Sequence, residues 1–320
     1  MARKRSALRA MFGTRRGIRV FSTQTFVAFG LVSAIVQFAS VLVSGPLPHP
    51  LTVLIGCAVL CVGWGAWRVV PPRRIEHAFE RPEVVVTVAV GDLLDQDCPI
   101  AVGFSDTFDT EVRPGLIALT SLQGQLLQRR YGGDVAVVDG ELERALRDVQ
   151  PTRSAEQLPG KQLRYPLGTV AVIGGVGPAE VGPGGVGPGG VGPGGVGPGG
   201  VGPGGVGPGG AGLVYAVALS EISRGGIARS SLDTLWLSLG RLWDAVDAHG
   251  ERRPIAVPIV GSGLARIDAL DRESLLKMLL MSFVARSRRS VVARELRVVV
   301  HPDDRWQIDL LEVAAFLRTL

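Results

Sequence analysis

Carboxylates are missing from the first 75 residues of this 320-residue chain, where ten basic side chains between Arg3 and Arg74 precede Glu76, the first acidic residue. The formal net charge of +5 is therefore a poor guide to partners, because beyond position 75 there are 24 basic residues against 29 acidic ones. That mildly acidic remainder lacks the basic face with which proteins neutralise a phosphate backbone, so no nucleic-acid partner is expected.

Cysteine is scarce as well. Cys57 and Cys61 lie in an apolar stretch and Cys98 stands alone. Neither a disulfide framework nor a zinc quartet can be built from them, and a reducing compartment is the simplest consequence. The four histidines, His49, His77, His249 and His301, are scattered without a partner at metal-ligand spacing. No metal and no resident cofactor are expected.

Charge is also absent from two long apolar runs. Residues 21–43 carry none, and residues 51–70 carry only Arg68, near enough to the end to reach an interface. Each run has the ~20 residues that a helix needs to cross a bilayer core. Between them the segment 44–50, Ser-Gly-Pro-Leu-Pro-His-Pro, holds three prolines and a glycine, which break helix and reverse the chain. The spacing predicts a transmembrane hairpin over 21–74 after a basic segment, 1–20. The arginines flanking the pair place both termini in the cytoplasm of a multi-pass plasma-membrane protein. A signal peptide fits less well, since no small-residue cleavage site is evident and a second span follows at once.

Residues 75–320 read as one cytosolic domain, entered through a short helical connector at 75–81. Strands are expected at 84–90, 135–138, 169–173, 213–219, 255–260 and 296–300, all rich in β-branched residues. Helices are expected at 115–131, 141–149, 231–249, 272–286 and 308–320. In the third of these, Leu232, Leu235, Leu239, Leu242 and Val246 form a buried stripe that Trp236 and Trp243 widen. The alternation describes a three-layer α/β/α domain.

Interrupting it, residues 176–210 hold one degenerate copy of a pentapeptide and six perfect Val-Gly-Pro-Gly-Gly units, starting at Val181, Val186, Val191, Val196, Val201 and Val206. So much glycine and proline cannot bury a core, and collagen's three-residue period is missing. The array reads as a flexible elastin-like loop without chemistry. Its removal joins the strand runs 169–173 and 213–219 into a hairpin.

Two strand-to-loop transitions carry residues suited to ligand contact. Val90-Gly91-Asp92-Leu93 ends an apolar strand in an aspartate that can accept from a base or a ribose. Val260-Gly261-Ser262-Gly263-Leu264-Ala265-Arg266 ends another in a glycine loop whose N–H groups can form an anion nest, with Arg266 adding a charge. The latter is neither a Walker loop nor a dinucleotide fingerprint, and a plain tight turn has the same composition.

At these loops the chain resembles a macro domain, the ADP-ribose-binding α/β module. Residues 165–173, 231–243, 259–267 and 296–304, with the two apolar runs, are similar to the membrane-anchored macro-domain effectors of Thoeris antiphage defence. The resemblance implies that Asp92, beside Leu93, holds adenine and that Gly261, Ser262, Gly263, Leu264, Ala265 and Arg266 wrap the diphosphate. It places Ser105, Asp106 and Thr107 near the distal ribose. The ligand would be an ADP-ribose derivative, in some systems a histidine conjugate, made by a TIR-domain enzyme. Binding would drive homo-oligomerisation and damage membrane lipid. The segment 104–108, Phe-Ser-Asp-Thr-Phe, lacks the asparagines of catalytic macro-domain hydrolases, so the resemblance implies a binder without catalytic residues. A membrane-tethered ADP-ribosyl hydrolase and a non-assembling ADP-ribose-binding scaffold are the alternatives.

Overall fold

A computed structural model describes residues 15–42, 50–69, 72–154, 157–174, 212–260 and 270–320. The start of the basic segment, the linker between the apolar runs, the pentapeptide array and Gly261 to Arg266 lie outside the described residues. The chain divides into two compact units, residues 1–75 with 303–315, and residues 76–302 with 316–320.

The first unit contains helices α1 (Arg15–Leu42) and α2 (Pro50–Val69). Within α1, Phe21–Phe38 is apolar and long enough to cross a membrane, and Phe26 and Phe38 expose about three quarters of their surface. In α2 the described apolar stretch is shorter, Ile55–Gly65.

The second unit is built on a sheet of β1 (Arg74–Glu80), β2 (Glu83–Val90), β3 (Ile100–Ser105), β6 (Val170–Ile173), β7 (Val214–Ile222), β8 (Ala228–Arg229), β9 (Ile255–Pro258) and β10 (Glu295–Val300). A separate two-stranded ribbon joins β4 (Thr152–Arg153) to β5 (Leu163–Arg164). The order across the large sheet is β1-β2-β10-β9-β3-β7-β6, with β8 pairing β7. Strands β2, β10, β9, β3 and β7 run parallel to one another, and β6 and β8 pair antiparallel with β7. Helices α3 (Leu122–Tyr131) and α4 (Val135–Leu146) cover one face, and α5 (Leu232–His249) and α6 (Arg272–Ser287) cover the other. Helix α7 spans Leu310–Leu317.

Side-chain alternation divides the core in two. Ile100, Val102 and Phe104 of β3, with Val214, Ala216 and Ala218 of β7, meet Leu126, Val138 and Leu142. The residues between them line the opposite face, where Trp243 is fully buried, packs against Phe283 at 5.2 Å and donates its indole N–H to Ser282 Oγ at 3.0 Å. That arrangement is the expected α/β/α sandwich.

Several local expectations are corrected. Residues 135–138 are the first turn of α4, not a strand. Asp134 caps them by accepting from the N–H groups of Ala136 and Val137, and Val138, Leu142 and Leu146 then form one buried stripe. The supposed helical connector is strand β1, in which exposed Arg74, Glu76, Ala78 and Glu80 alternate with partly covered Ile75, His77 and Phe79. Strand β3 was not foreseen at all. The helix expected from 115 begins only after the Ser121 cap, because Gly115, at φ 81°, stands in a preceding turn. Trp236 is 46 % exposed rather than part of the buried face.

The hairpin across the array is present: β6 pairs antiparallel with β7, Ile173 opposite Val214. Its base is tied to the α3–α4 layer. Glu141 Oε2 accepts from Gly174 N–H at 2.9 Å and from the Tyr131 hydroxyl at 3.0 Å, while Arg130 donates to the Gly212 carbonyl at 3.2 Å.

Candidate functional site

Connections leaving the sheet locate a crevice. After β3 the chain passes through α3 and α4 on one face towards β6 and β7, whereas after β9 it passes through α6 on the other face to β10. Adjacent parallel strands whose outgoing connections diverge form a topological switch point, where ligands of open α/β sheets bind beyond the carboxyl ends. Here that point is between β9 and β3. Strand β3 ends at Ser105, and β9 is followed by Ile259 and Val260 in the chain before Gly261. Asp92 follows β2 and His301 follows β10 at the same pole of the sheet.

Asp92 is held firmly. It caps a single 3-10 turn, Leu93–Asp95, by accepting the Leu94 N–H on Oδ1 at 2.9 Å, and Arg129 Nη1 donates to its Oδ2 at 2.6 Å. Burial opposes ionisation of this carboxyl. Hydrogen bonds from Arg129 and Leu94, with the charges of Arg129 and His301, outweigh burial and hold it below the usual carboxylate range. Its side chain stays 40 % exposed and presents an acceptor to solvent. Leu93, expected beside it at the ligand, is buried in the core cluster with Cys98 and Ile100, so its side chain packs within the domain.

The loop after β3 is a closed polar knot. A β-bulge at Phe104/Ser105 shifts the register against β7, and bulges re-aim side chains at the ends of strands. Asp106 is 3 % exposed. Its carboxylate accepts from Arg164 and from the Ile222 N–H at 3.0 Å, and its own N–H donates to the Ser220 carbonyl at 2.8 Å. Thr107 is equally buried and donates to Asp109, which also accepts the Lys161 N–H at 2.7 Å. Lys161 Nζ bridges the Phe108 carbonyl at 2.9 Å and Asp139 at 2.7 Å. Of the three residues expected near a ribose, Asp106 and Thr107 are thus buried and engaged within the protein, and Ser105, at the carboxyl end of β3, is half-buried.

Sequence reasoning missed Arg129, Asp109, Lys161 and Arg164. Each has a partner far along the chain, 37 residues away for Arg129 with Asp92 and 58 for Arg164 with Asp106, and no local motif announces such pairs. Among the described residues no group of three or more His, Cys, Asp or Glu side chains could hold a metal ion.

The chain is similar to the Oceanobacillus iheyensis macrodomain solved with ADP, at 9% identity and TM-score 0.45 over 78% of this chain and 100% of that one. It is also similar to the macrodomain of Mycobacterium tuberculosis DarG, at 15% identity and TM-score 0.38 over 68% of this chain and 99% of that one. No curated protein matches it. The macro-domain family of the Thoeris protein ThsA matches residues 86–178 and 207–301, from within β2 to the end of β10 and skipping most of the pentapeptide array. With more than half of its length matched on both sides of that insertion, the chain belongs to the Thoeris ThsA macro-domain family.

Proposed function

We propose that this chain is a membrane-anchored sensor and effector of antiphage defence that binds an ADP-ribose-derived messenger. The observation that carries the reading is the β9/β3 switch point of the sheet, in a domain of the ThsA macro family, with the anchored Asp92 carboxylate at the same pole. Asp92 accepts from the adenine amino group through its exposed edge. Gly261 to Arg266 supply N–H groups and a guanidinium for the diphosphate, and Ser105 contacts the far sugar. A TIR-domain enzyme makes the messenger, in the form of ADP-ribose or a histidine conjugate of it.

The apolar helices α1 and α2 form the membrane anchor, a hairpin with both ends in the cytoplasm. Messenger binding favours a homo-oligomer whose anchors disturb the bilayer. Inverting a 1:99 equilibrium in this way requires the ligand to prefer the assembled state by about 5.5 kcal/mol. The chain works as a binder without turnover, since Asp106 and Thr107 are engaged within the protein and the segment 104–108 carries no asparagine.

The test is calorimetry on the full chain in detergent, with ADP-ribose and its histidine conjugate, beside Asp92→Ala and Gly261→Glu. Saturable binding weakened by both substitutions, unchanged ligand on recovery, and ligand-dependent leakage of vesicles containing the chain are expected. Recovery of hydrolysed ligand would favour a tethered hydrolase. Binding without leakage would leave a scaffold.

A further inference from the structure

The knot after β3 contains a one-way hydrogen-bond chain. As a carboxylate Asp109 only accepts, and both of its oxygens are used: Oδ1 by the Lys161 N–H at 2.7 Å and Oδ2 by the Thr107 hydroxyl. A threonine hydroxyl has one proton, and that of Thr107 is committed to Asp109. The 3.0 Å contact between Ser105 Oγ and Thr107 Oγ1 must then run from serine to threonine. The single proton of Ser105 is consumed in turn, and its Oγ is left with lone pairs only.

Packing keeps the chain from reorienting. Asp109 and Thr107 are 2 % and 1 % exposed. A methyl group at Gly160 would sit 2.1 Å from Asp109 Oδ1, so the backbone closes directly over that carboxylate. At the other end of the hydrogen-bond chain, Ser105 is half-buried at the carboxyl end of β3, beside the β9/β3 switch point, where the bulge at Phe104/Ser105 shifts the register.

We infer that Ser105 is a specificity-determining residue that the Thr107–Asp109 chain polarises into an obligate acceptor, selecting ligands that place a hydroxyl or N–H donor against it. A ligand offering only an acceptor there, such as a carbonyl, an ether or a fluorine, meets lone pairs with lone pairs. This inference rests on the proposed ADP-ribose reading and adds the polarity of the group recognised at the β3 wall. Asp109→Asn should reverse the chain. The Lys161 N–H holds the amide oxygen at Oδ1, which turns the amide NH2 towards Thr107. Thr107 then donates to Ser105, and Ser105 turns its proton to the crevice.

The experiment measures affinities of the full chain in detergent for ADP-ribose and for analogues in which each hydroxyl of the distal ribose is singly replaced by fluorine. Wild type should disfavour at least one analogue by about tenfold or more, within the range that an unmet buried polar group produces. That ratio should fall to about twofold or less in Ser105→Ala, and should fall or invert in Asp109→Asn. Thr107→Val, which returns the proton to Ser105, is the second variant should Asp109→Asn not fold, and it should also shrink the ratio. Identical ratios in wild type and all variants, with ADP-ribose still bound, would overturn the inference. Failure of wild type to bind either ADP-ribose or its histidine conjugate is a different result, which overturns the ligand reading beneath it.

Discussion

Arg129 Nη1 lies 2.6 Å from Asp92 Oδ2, and the same guanidinium also pairs with Asp95, so one residue of α3 fastens the turn that follows β2. The pair orients an acceptor at the edge of the proposed site without burying it.

From that arrangement follows a pH dependence with a definite sign. The folded-state pKa of Asp92 is lowered, so its contribution to stability is present above the ordinary carboxylate pKa and is lost as pH falls through the lowered value. Arg129→Ala should raise the Asp92 pKa, which carboxyl-carbon NMR titration would read. Because the two side chains are 42 % and 40 % exposed, the stability change should be only about 0.2–1 kcal/mol. A transition midpoint for Asp92 that does not move would sink this account of its ionisation.

Asp106 answers to a different rule. Its carboxylate is 4 % exposed against an Arg164 guanidinium at 19 %, and it ties β3, β5 and the end of β7 together. Asp106→Ala leaves Arg164 and the Ile222 N–H without that acceptor and should destabilise the domain by about 3–5 kcal/mol. Asp106→Asn, which keeps a carbonyl oxygen for Ile222, should cost less. Denaturant unfolding followed by tryptophan fluorescence distinguishes the two.

The two tryptophans of α5 should behave oppositely. Trp243→Ala empties a fully buried site and removes the hydrogen bond to Ser282, at a cost of about 3–5 kcal/mol. Trp236→Ala, at a half-exposed position, should change stability by no more than about 0.5 kcal/mol. Equal losses in thermal unfolding would contradict the assignment of faces.

Shortening the pentapeptide array should be nearly silent. Ile173 and Val214 meet at the amino ends of the parallel strands, opposite the crevice, and the hairpin base is fastened by Glu141 and Arg130. Loop-closure entropy varies only with the logarithm of length, so deleting four of the six perfect repeats should change stability by less than about 1 kcal/mol. ADP-ribose affinity should be unchanged within error, and a marked loss would assign the array a part in binding.

Legibility followed the range of the interactions. The α5 stripe and the strands β2, β6, β7 and β10 could be read locally, because hydrophobic period and β-branching report which side of an element is covered. Residues 135–138 misled, since four strand-like residues were read without the Asp134 cap that starts a helix there. Strand β3 escaped because its six residues alternate large apolar with small ones, Ile100, Val102 and Phe104 with Ala101, Gly103 and Ser105, rather than apolar with polar. Trp236 escaped for the converse reason: its place in a helical period does not say how wide the covering layer is.

By itself the sequence determined the layered α/β class, the apolar N-terminal helices, the hairpin across the repeat and the family, all of which rest on local period, composition and contiguous motifs. Only the tertiary structure decided that β9 and β3 are neighbours and that Arg129 pairs with Asp92. It alone engaged Asp106 and Thr107 within the protein while leaving Ser105 half-buried beside the switch point. Those outcomes depend on strand order and, for Asp92 and Asp106, on partners dozens of residues apart. Chain closure and packing select such partners, and no local pattern encodes them.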